Sequence, residues 1–100
     1  MEYRRLGRSG LHISPVVLGT MNFGRPTQKE EAFQMVDLSI DAGINLFDCA
    51  DIYAQGESER MLGEALKRNG KRQDVLITSK VFNKMGPGPN DSGNSKHHIL

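Results

Sequence analysis

The stretch from Gly43 to Gly63 reads Gly-Ile-Asn-Leu-Phe-Asp-Cys-Ala-Asp-Ile-Tyr-Ala-Gln-Gly-Glu-Ser-Glu-Arg-Met-Leu-Gly. Its first glycine is typical of the residue just past a helix, and the apolar run after it predicts a strand that ends at Asp48. Tyr53 follows five positions later, in the loop before the next predicted helix. Because α/β proteins keep their chemistry where the strands of βα units end, this stretch predicts a functional site.

Upstream of this stretch, the sequence predicts a hairpin and then a first strand. Residues 3–14 contain two short β-type segments around a Gly-bounded turn, and Pro15 ends them. The continuous apolar run of residues 16–18 is typical of a strand that is buried on both faces. Gly19, Thr20 and Met21 follow that strand, at the same kind of position that Asp48 occupies in the second one.

Two helices are predicted between the strands. The first begins with a capping box formed by Thr27 and Glu30 and ends at Gly43. The second is capped by Ser58 and ends at Gly70. Each carries an apolar stripe at helical spacing, formed by Ala32, Phe33, Val36 and Ile40 in the first helix and by Met61, Leu62, Ala65 and Leu66 in the second.

A third strand, residues 75–78, leads to Ser79 and Lys80. The three strands start about 30 residues apart with a helix between each pair, so they are predicted to run parallel. A (β/α)₈ barrel devotes roughly 31 residues to each unit. A doubly wound sheet has a similar spacing, so the spacing alone leaves both architectures open.

The C-terminal part of the chain changes character. Residues 82–95 are too rich in Gly and Pro for regular structure and predict a long loop, which is either functional or disordered. Ser95 is a candidate N-cap for a third helix that starts at Lys96. His97 and His98 are expected to be surface residues of that helix, and His12 is expected to be structural or exposed.

The composition excludes several classes of function. The 100 residues carry 13 Lys and Arg and 12 Asp and Glu, which indicates neither a nucleic-acid nor a membrane partner. No apolar run is long enough to span a membrane, and the N-terminus has no apolar core like that of a signal peptide. The single cysteine, Cys49, indicates a cytoplasmic protein and is interpreted as a small packing residue.

Known cofactor and metal motifs are absent. Gly19-Thr-Met-Asn-Phe-Gly stands where a Gly-x-Gly-x-x-Gly fingerprint would follow the first strand, which argues against a Rossmann site. The sequence also lacks a phosphate-binding loop, a metal-spaced Cys/His cluster and a nucleophile elbow. We therefore predict no metal site.

Asp48, Tyr53 and Lys80 all lie at or just after predicted strand ends, so parallel strands would bring them together. A tyrosine titrates near pH 10, but an ammonium about 4 Å away interacts with a phenolate by about 4 kcal/mol at an effective dielectric of about 20. A tyrosine beside a lysine is therefore a usable general acid near neutrality, and an aspartate would keep the lysine charged and aimed. Singly, the three residues have ordinary interpretations as a loop cap, a half-buried ring and a solvated strand end.

The longer motifs resemble those of the aldo-keto reductases. Residues 43–53, followed by Gly56-Glu-Ser-Glu and Leu62-Gly63, are similar to that family's signature. Leu18-Gly-Thr-Met and Ile77-Thr-Ser-Lys resemble its first and third barrel strands. Residues 3–11 resemble the hairpin that closes the N-terminal end of its barrel.

The resemblance implies an NADPH-dependent reductase of aldehydes or ketones on a (β/α)₈ TIM barrel. Tyr53 would then be the proton donor, Lys80 the group that acidifies it, and Asp48 the partner of Lys80 and a contact of the cofactor ribose. Gly19, Thr20 and Met21 would face the nicotinamide and ribose of NADPH. Met21 departs from the family pattern, in which this position is often aromatic. The sequence of residues 43–48 also resembles that of the potassium-channel beta subunits. A cofactor-binding regulatory subunit is therefore the alternative to an enzyme.

Three strands cannot close a barrel, so residues 1–100 are interpreted as the N-terminal part of one barrel domain. The capping hairpin is assigned to residues 2–14 and the first three strands with two helices to residues 16–81. The long loop covers residues 82–95, and the third helix starts in residues 96–100. The resemblance implies a fourth catalytic residue, a histidine after the fourth strand, beyond Leu100. On its own, this part is expected to fold poorly, because its parallel edges would be exposed.

Overall fold

The computed structural model describes residues 1–100, which form five short strands, three α-helices and two 3₁₀ helices at Tyr53–Gly56 and Arg72–Asp74. The elements in chain order are β1 (Arg4–Arg5), β2 (His12–Ile13), β3 (Leu18–Gly19), α1 (Lys29–Asp41), β4 (Leu46–Asp48), α2 (Glu57–Arg68), β5 (Leu76–Thr78) and α3 (Lys96–Ile99). The predicted alternation of strands and helices is confirmed, and this part of the chain is an α/β structure. No helix has the length and apolar character needed to span a bilayer.

The three-stranded sheet has the order β3-β4-β5, and both pairings are parallel as predicted. The register places Gly19 of β3 opposite Asp48 of β4, and Asp48 opposite Thr78 of β5. The carboxyl ends of all three strands therefore lie side by side at one edge of the sheet. This register decides where the polar side chains after the strands are placed.

The N-terminal hairpin pairs β1 with β2 in the antiparallel sense. It is fastened to the α/β part by hydrogen bonds near the start of β4. The Tyr3 hydroxyl donates to the carbonyl of Gly43 at 2.7 Å, and the Asn45 amide donates to the carbonyl of His12 at 2.9 Å. Gly43 has a φ of 98°, which is the left-handed conformation predicted for the residue after α1.

The core lies where α1 and α2 pack on the sheet. Its buried apolar side chains come from both helices, whose predicted stripes face the sheet, from the central strand β4, and from the segments that flank the strands. The members of this cluster are Phe23, Ala32, Val36, Phe47, Cys49, Leu62, Ala65, Leu66 and Val75. Cys49 is buried and unpaired, in agreement with its interpretation as a packing residue.

The predicted N-caps of α1 and α2 are wrong. Helix α1 begins at Lys29 after Gln28, because the backbone of Thr27 is held in a turn by hydrogen bonds with Asn22 and Gly24. Helix α2 begins one residue before Ser58, at Glu57, and its N-cap is Gly56, which has a left-handed backbone with φ 96°. Ser58 is therefore inside the helix and buried, and its hydroxyl is used elsewhere.

The first strand is less enclosed than predicted. Val16 and Val17 are 52% and 43% exposed, and only Leu18 and Gly19 pair with a neighbour. The reason is that β3 is an edge strand within residues 1–100, with β4 as its single neighbour. A short apolar run is therefore reliable evidence of a strand buried on both faces only for a strand that other elements cover on every side.

The predicted long loop of residues 82–95 contains no helix or strand, but it has internal hydrogen bonds. Asp91 accepts from the backbone N–H of Gly88 at 2.7 Å, and its own carbonyl accepts from Met85. Gly93 donates to the carbonyl of Phe82, which brings the two ends of the loop together. The Ser95 hydroxyl then caps α3 by accepting from the N–H of His98, as predicted.

Candidate active site

The site is built on the shared edge at which β3, β4 and β5 end. Asp48 is the last residue of β4, and Lys80 follows β5 by two positions. Because Asp48 lies opposite Thr78 in the register, the chain beyond β5 passes directly beside it. The sheet thus brings Asp48 and Lys80 together, although 31 residues lie between them in the sequence.

Asp48 and Lys80 form a direct ion pair. Lys80 Nζ donates to Asp48 Oδ2 at 2.8 Å and to the carbonyl oxygen of Cys49 at 2.7 Å. The hydroxyl of Thr78 donates to the other carboxylate oxygen of Asp48 at 2.6 Å. Both carboxylate oxygens of Asp48 and the Lys80 ammonium are therefore held in place by the two neighbouring strands.

The electrostatics of the pair keep both groups charged. Hydrogen bonds from Lys80 and then Thr78 hold the pKa of Asp48 below its ordinary value. The hydrogen bond to Asp48 raises the pKa of Lys80, partial burial opposes that rise, and Tyr53 adds to it. The lysine is therefore a permanent cation at neutral pH. This is the charge state in which it would stabilise a phenolate.

Tyr53 lies against this cation. Lys80 Nζ is 5.1 Å from the centroid of the Tyr53 ring, within the range of a cation–π contact. The ring is half-buried, and a tight turn follows it in which Ala54 and Gln55 have φ values of 49° and 55°. Left-handed backbone at two consecutive residues other than glycine is strained, and such strain is concentrated at functional sites. The structure thus brings together the three residues proposed from the sequence.

A cavity of about 310 Å³ opens beside these residues. This volume is at the lower end of the range for small-molecule sites. Its walls come from the loops after β4 and β5, and they are formed by Ala50, Asp51, Ile52, Tyr53, Lys80, Val81 and Asn83. A tyrosine and a lysine therefore face a space that a small ligand can enter.

Residues 15–100 match the model of the Aldo/keto reductase family. The chain belongs to the aldo/keto reductase family. The resemblance stated from the sequence motifs is confirmed by this match.

Curated relatives of this chain come from plants and bacteria. It is 40% identical over 102 residues to a probable voltage-gated potassium channel subunit beta of Arabidopsis thaliana, and 41% identical to the rice protein of the same name. It is 40% identical to an uncharacterized oxidoreductase, YrpG, of Bacillus subtilis, over 91% of its own length. The alignments cover all of this chain in the plant proteins and 30% or 31% of the length of each relative. The chain thus spans about a third of the length of the curated relatives it matches.

Solved structures give the same result. The holo form of aldo-keto reductase AKR11C1 from Bacillus halodurans matches 99% of this chain and 33% of its own, with a TM-score of 0.83 and 39% identity. A putative aldo-keto reductase from Pseudomonas aeruginosa matches 80% of this chain and 31% of its own, with a TM-score of 0.71 and 44% identity. At these identities the likeness extends to the family as well as to the fold.

The predicted cofactor residues of this chain differ in how exposed their groups are to a ligand. Gly19 is exposed, and no atom lies within 4 Å of the position that a Cβ would take there. Met21 is 63% exposed beside it. This open edge next to the Asp48 carboxylate suits a nicotinamide ribose, so the residues present fit that part of NADPH.

Thr20, by contrast, has its polar groups engaged inside the protein. Its side chain is fully buried, its hydroxyl donates to the carbonyl of Asp48 at 2.9 Å, and its N–H donates to the same carbonyl. The hydroxyl of Ser58 donates to both the carbonyl and the hydroxyl of Thr20, at 2.6 Å and 2.9 Å. Thr20 thus ties the end of β3 to β4 and to α2.

Sequence reasoning missed the contacts of three residues near the site: Thr78 bonds to Asp48, Ser58 bonds to Thr20, and His98 lies near Asp51. Thr78 was detectable, since strand residues two apart share a face and Thr78 lies two positions before Lys80. His98 was predicted to be exposed, and this was wrong: its side chain is 8% exposed and lies near Asp51. His97 and His12 are exposed.

Proposed function

We propose that the complete polypeptide carrying these residues is an NADPH-dependent oxidoreductase that reduces aldehydes or ketones to alcohols on a (β/α)₈ TIM barrel. Residues 1–100 would supply the hairpin at residues 2–14 and the first three strands of that barrel. The observation that carries the proposal is that Lys80 contacts both the Asp48 carboxylate and the face of the Tyr53 ring beside an open cavity. Membership of the aldo/keto reductase family supports the reaction class. We also propose that the protein acts in the cytoplasm, because its single cysteine fits a reducing compartment.

Each of the six candidate residues would have a task in this reaction. Bound NADPH would supply the hydride that reaches the carbonyl carbon. The Tyr53 hydroxyl would donate its proton to the carbonyl oxygen, which gains electron density as the hydride arrives. Lys80 would stabilise the phenolate left on Tyr53, and Asp48 would hold the Lys80 ammonium charged and in place. Gly19, Met21 and Asp48 would border the nicotinamide and its ribose, with Thr20 keeping that edge of the sheet in position.

The test is a turnover assay on the complete polypeptide with 4-nitrobenzaldehyde, using NADPH and NADH in parallel. We expect NADPH oxidation in the wild type. We expect Tyr53→Phe to abolish it while NADPH affinity stays nearly unchanged, because the substitution removes the proton donor and keeps the ring. Tyr3→Phe is the matched control, since the Tyr3 hydroxyl bonds to Gly43, which precedes β4, at the opposite end of that strand from Asp48. Comparable turnover in Tyr53→Phe would remove Tyr53 from its role.

A second candidate function follows from the two plant relatives. They are named as probable voltage-gated potassium channel beta subunits and align with the whole chain at 40% and 41% identity. We propose as the alternative a regulatory subunit that binds NADPH in the same site and reduces substrates slowly or not at all. A complete polypeptide that binds NADPH tightly without reducing any of a panel of aldehydes and ketones would favour this alternative over the enzyme.

A further inference from the structure

His98 is a buried histidine with no use in the site described so far. Its side chain is 8% exposed, while the preceding residue, His97, is exposed. Its Nε2 atom is inaccessible to solvent and has no hydrogen-bond partner within residues 1–100. Buried polar atoms in proteins almost always have a partner, so an unpartnered imidazole nitrogen calls for a specific explanation.

The group that faces this nitrogen is the carboxylate of Asp51. Asp51 Oδ2 lies 3.9 Å from His98 Nε2, and the Asp51 side chain is 20% exposed. Asp51 also lines the cavity, and its backbone N–H donates to the carbonyl of Lys80 at 3.1 Å. Asp51 thus lies between the buried histidine and the strand end that carries the lysine, two positions before Tyr53.

The loop that carries Tyr53 needs such an attachment. Its next two residues, Ala54 and Gln55, have left-handed backbone, which persists only where the surrounding structure holds it. One end of the loop is held by the Asp51–Lys80 backbone bond and by the hydrogen bond from Lys80 Nζ to Cys49. His98 adds a contact to Asp51, because the loop of residues 82–95 closes on itself and returns the chain to the site.

We propose that His98 is a positioning residue: through Asp51 it fixes the loop of residues 49–53 so that Tyr53 stays beside Lys80. The inference rests on the proposed function, in which Tyr53 donates the proton. His98 Nε2 faces Asp51 Oδ2 across 3.9 Å, so an N–H on that nitrogen would point at the carboxylate. A small change in the position of a proton donor is enough to slow proton transfer, even when the residue that moves it never touches the substrate.

The inference differs from a purely structural role in what a substitution changes. If His98 only filled space, an apolar residue of similar size would preserve turnover and alter stability alone. If it positions Tyr53 through Asp51, an apolar residue lowers kcat and a residue with an N–H at the same place restores it. Glutamine is that residue, since its side-chain amide nitrogen can take the place of imidazole Nε2.

The experiment compares His98→Leu, His98→Gln and the control His97→Leu in the complete polypeptide. For each variant, kcat, KM for 4-nitrobenzaldehyde and NADPH affinity are measured, together with amide hydrogen exchange of residues 49–53. In His98→Leu we expect kcat to fall on the order of tenfold, with little change in NADPH affinity and faster exchange in the loop. We expect His98→Gln to recover most of kcat and His97→Leu to match the wild type.

Two results would overturn the inference. Unchanged exchange of residues 49–53 in a folded His98→Leu variant would show that the loop does not depend on His98. An equal loss of kcat in His98→Leu and His98→Gln would show that the contact to Asp51 is not the cause. The exchange measurement needs no turnover, so it decides the inference even if the wild type reduces no carbonyl. A wild type that reduces no carbonyl would count against the proposed function and not against this inference.

Discussion

Two aspartate–cation pairs in this chain have almost the same geometry and lie in different layers of the fold. Asp48 accepts from Lys80 at 2.8 Å at the strand ends, and Asp37 accepts from Arg68 at 2.7 Å on the helical layer. Each carboxylate has a second donor, Thr78 in the first pair and Asn69 in the second. In both, the hydrogen bond from the cation is the largest cause that holds the pKa of the aspartate below its ordinary value.

The likeness extends to the aromatic neighbours. Lys80 Nζ lies 5.1 Å from the ring centroid of Tyr53, and the Arg68 guanidinium lies 4.8 Å from that of Phe33. The phenylalanine has no proton to give, and its pair bridges α1 to the end of α2. The tyrosine has an ionisable hydroxyl and borders a cavity. A perturbed carboxyl group therefore does not identify a site by itself. Open space does not separate the pairs either, since Asp37 and Asn69 line a second cavity of about 220 Å³. The feature that belongs to the first pair alone is the hydroxyl-bearing ring of Tyr53 beside its cation.

The largest expected effect separates the two cations by turnover. We expect Lys80→Met to lower kcat by roughly 10²- to 10⁴-fold, because it removes the charge that stabilises the Tyr53 phenolate during general acid catalysis. We expect the matched substitution Arg68→Met to leave kcat within a factor of about 2, since it removes the same charge from beside a ring that carries no proton. Steady-state assays of both variants check this, and similar losses in the two would remove the distinction.

The second prediction concerns what holds Asp48 in place. The Asp48 carbonyl accepts from the buried Thr20 hydroxyl, which accepts in turn from Ser58, whereas Asp37 lies within α1 and needs no such support. We expect Ser58→Ala to lower the free energy of unfolding by about 1–3 kcal/mol. The control is Ser39→Ala, a half-buried serine of α1 whose hydroxyl makes no hydrogen bond. Urea unfolding of the complete polypeptide measures both, and equal stability of the two variants would contradict the role of Ser58.

The sequence predicted those parts of the site that depend on the strand period. Asp48 and Lys80 follow strands, parallel strands end at one edge, and the contact between them follows from that geometry. The core stripes of α1 and α2 were predictable for the same reason, since a helix that packs on a sheet buries residues at a spacing of three and four. Periodicity reports which face of an element is covered.

The sequence did not predict the contacts that depend on where separate elements meet. Ser58 carries a local signal for a helix cap, and a left-handed Gly56 shifted the helix start so that the hydroxyl points to Thr20 instead. His98 lies in a helix of four residues, too short to show a buried face by period. Its burial is decided by the path of residues 82–95, which only the folded chain defines.

The third prediction uses acid to compare the two pairs as contributors to stability. Because both folded pKa values are lowered, each carboxylate stabilises the fold above its ordinary pKa, and this contribution is lost as the pH falls through the folded value. Both pairs are more than a third exposed, so we expect less than about 1 kcal/mol from each. Urea unfolding near neutral and near acidic pH should show a smaller acid loss in Asp37→Asn and in Asp48→Asn than in the wild type. If a variant lost as much unfolding free energy in acid as the wild type does, its ion pair would not contribute to the pH dependence of stability.

The smallest expected effect assigns each carboxyl group to its own cation. Carbon-13 NMR titration follows the carboxyl carbons of Asp48 and Asp37 separately. We expect Lys80→Met to raise the pKa of Asp48 towards its ordinary value and to leave Asp37 unchanged, and Arg68→Met to do the reverse. Neither carboxyl should lose its whole shift, because Thr78 and Asn69 still donate to the two groups. If either substitution moved both carboxyl groups, the pairs would be coupled through the helical layer, and the separation of a structural pair from a catalytic one would fail.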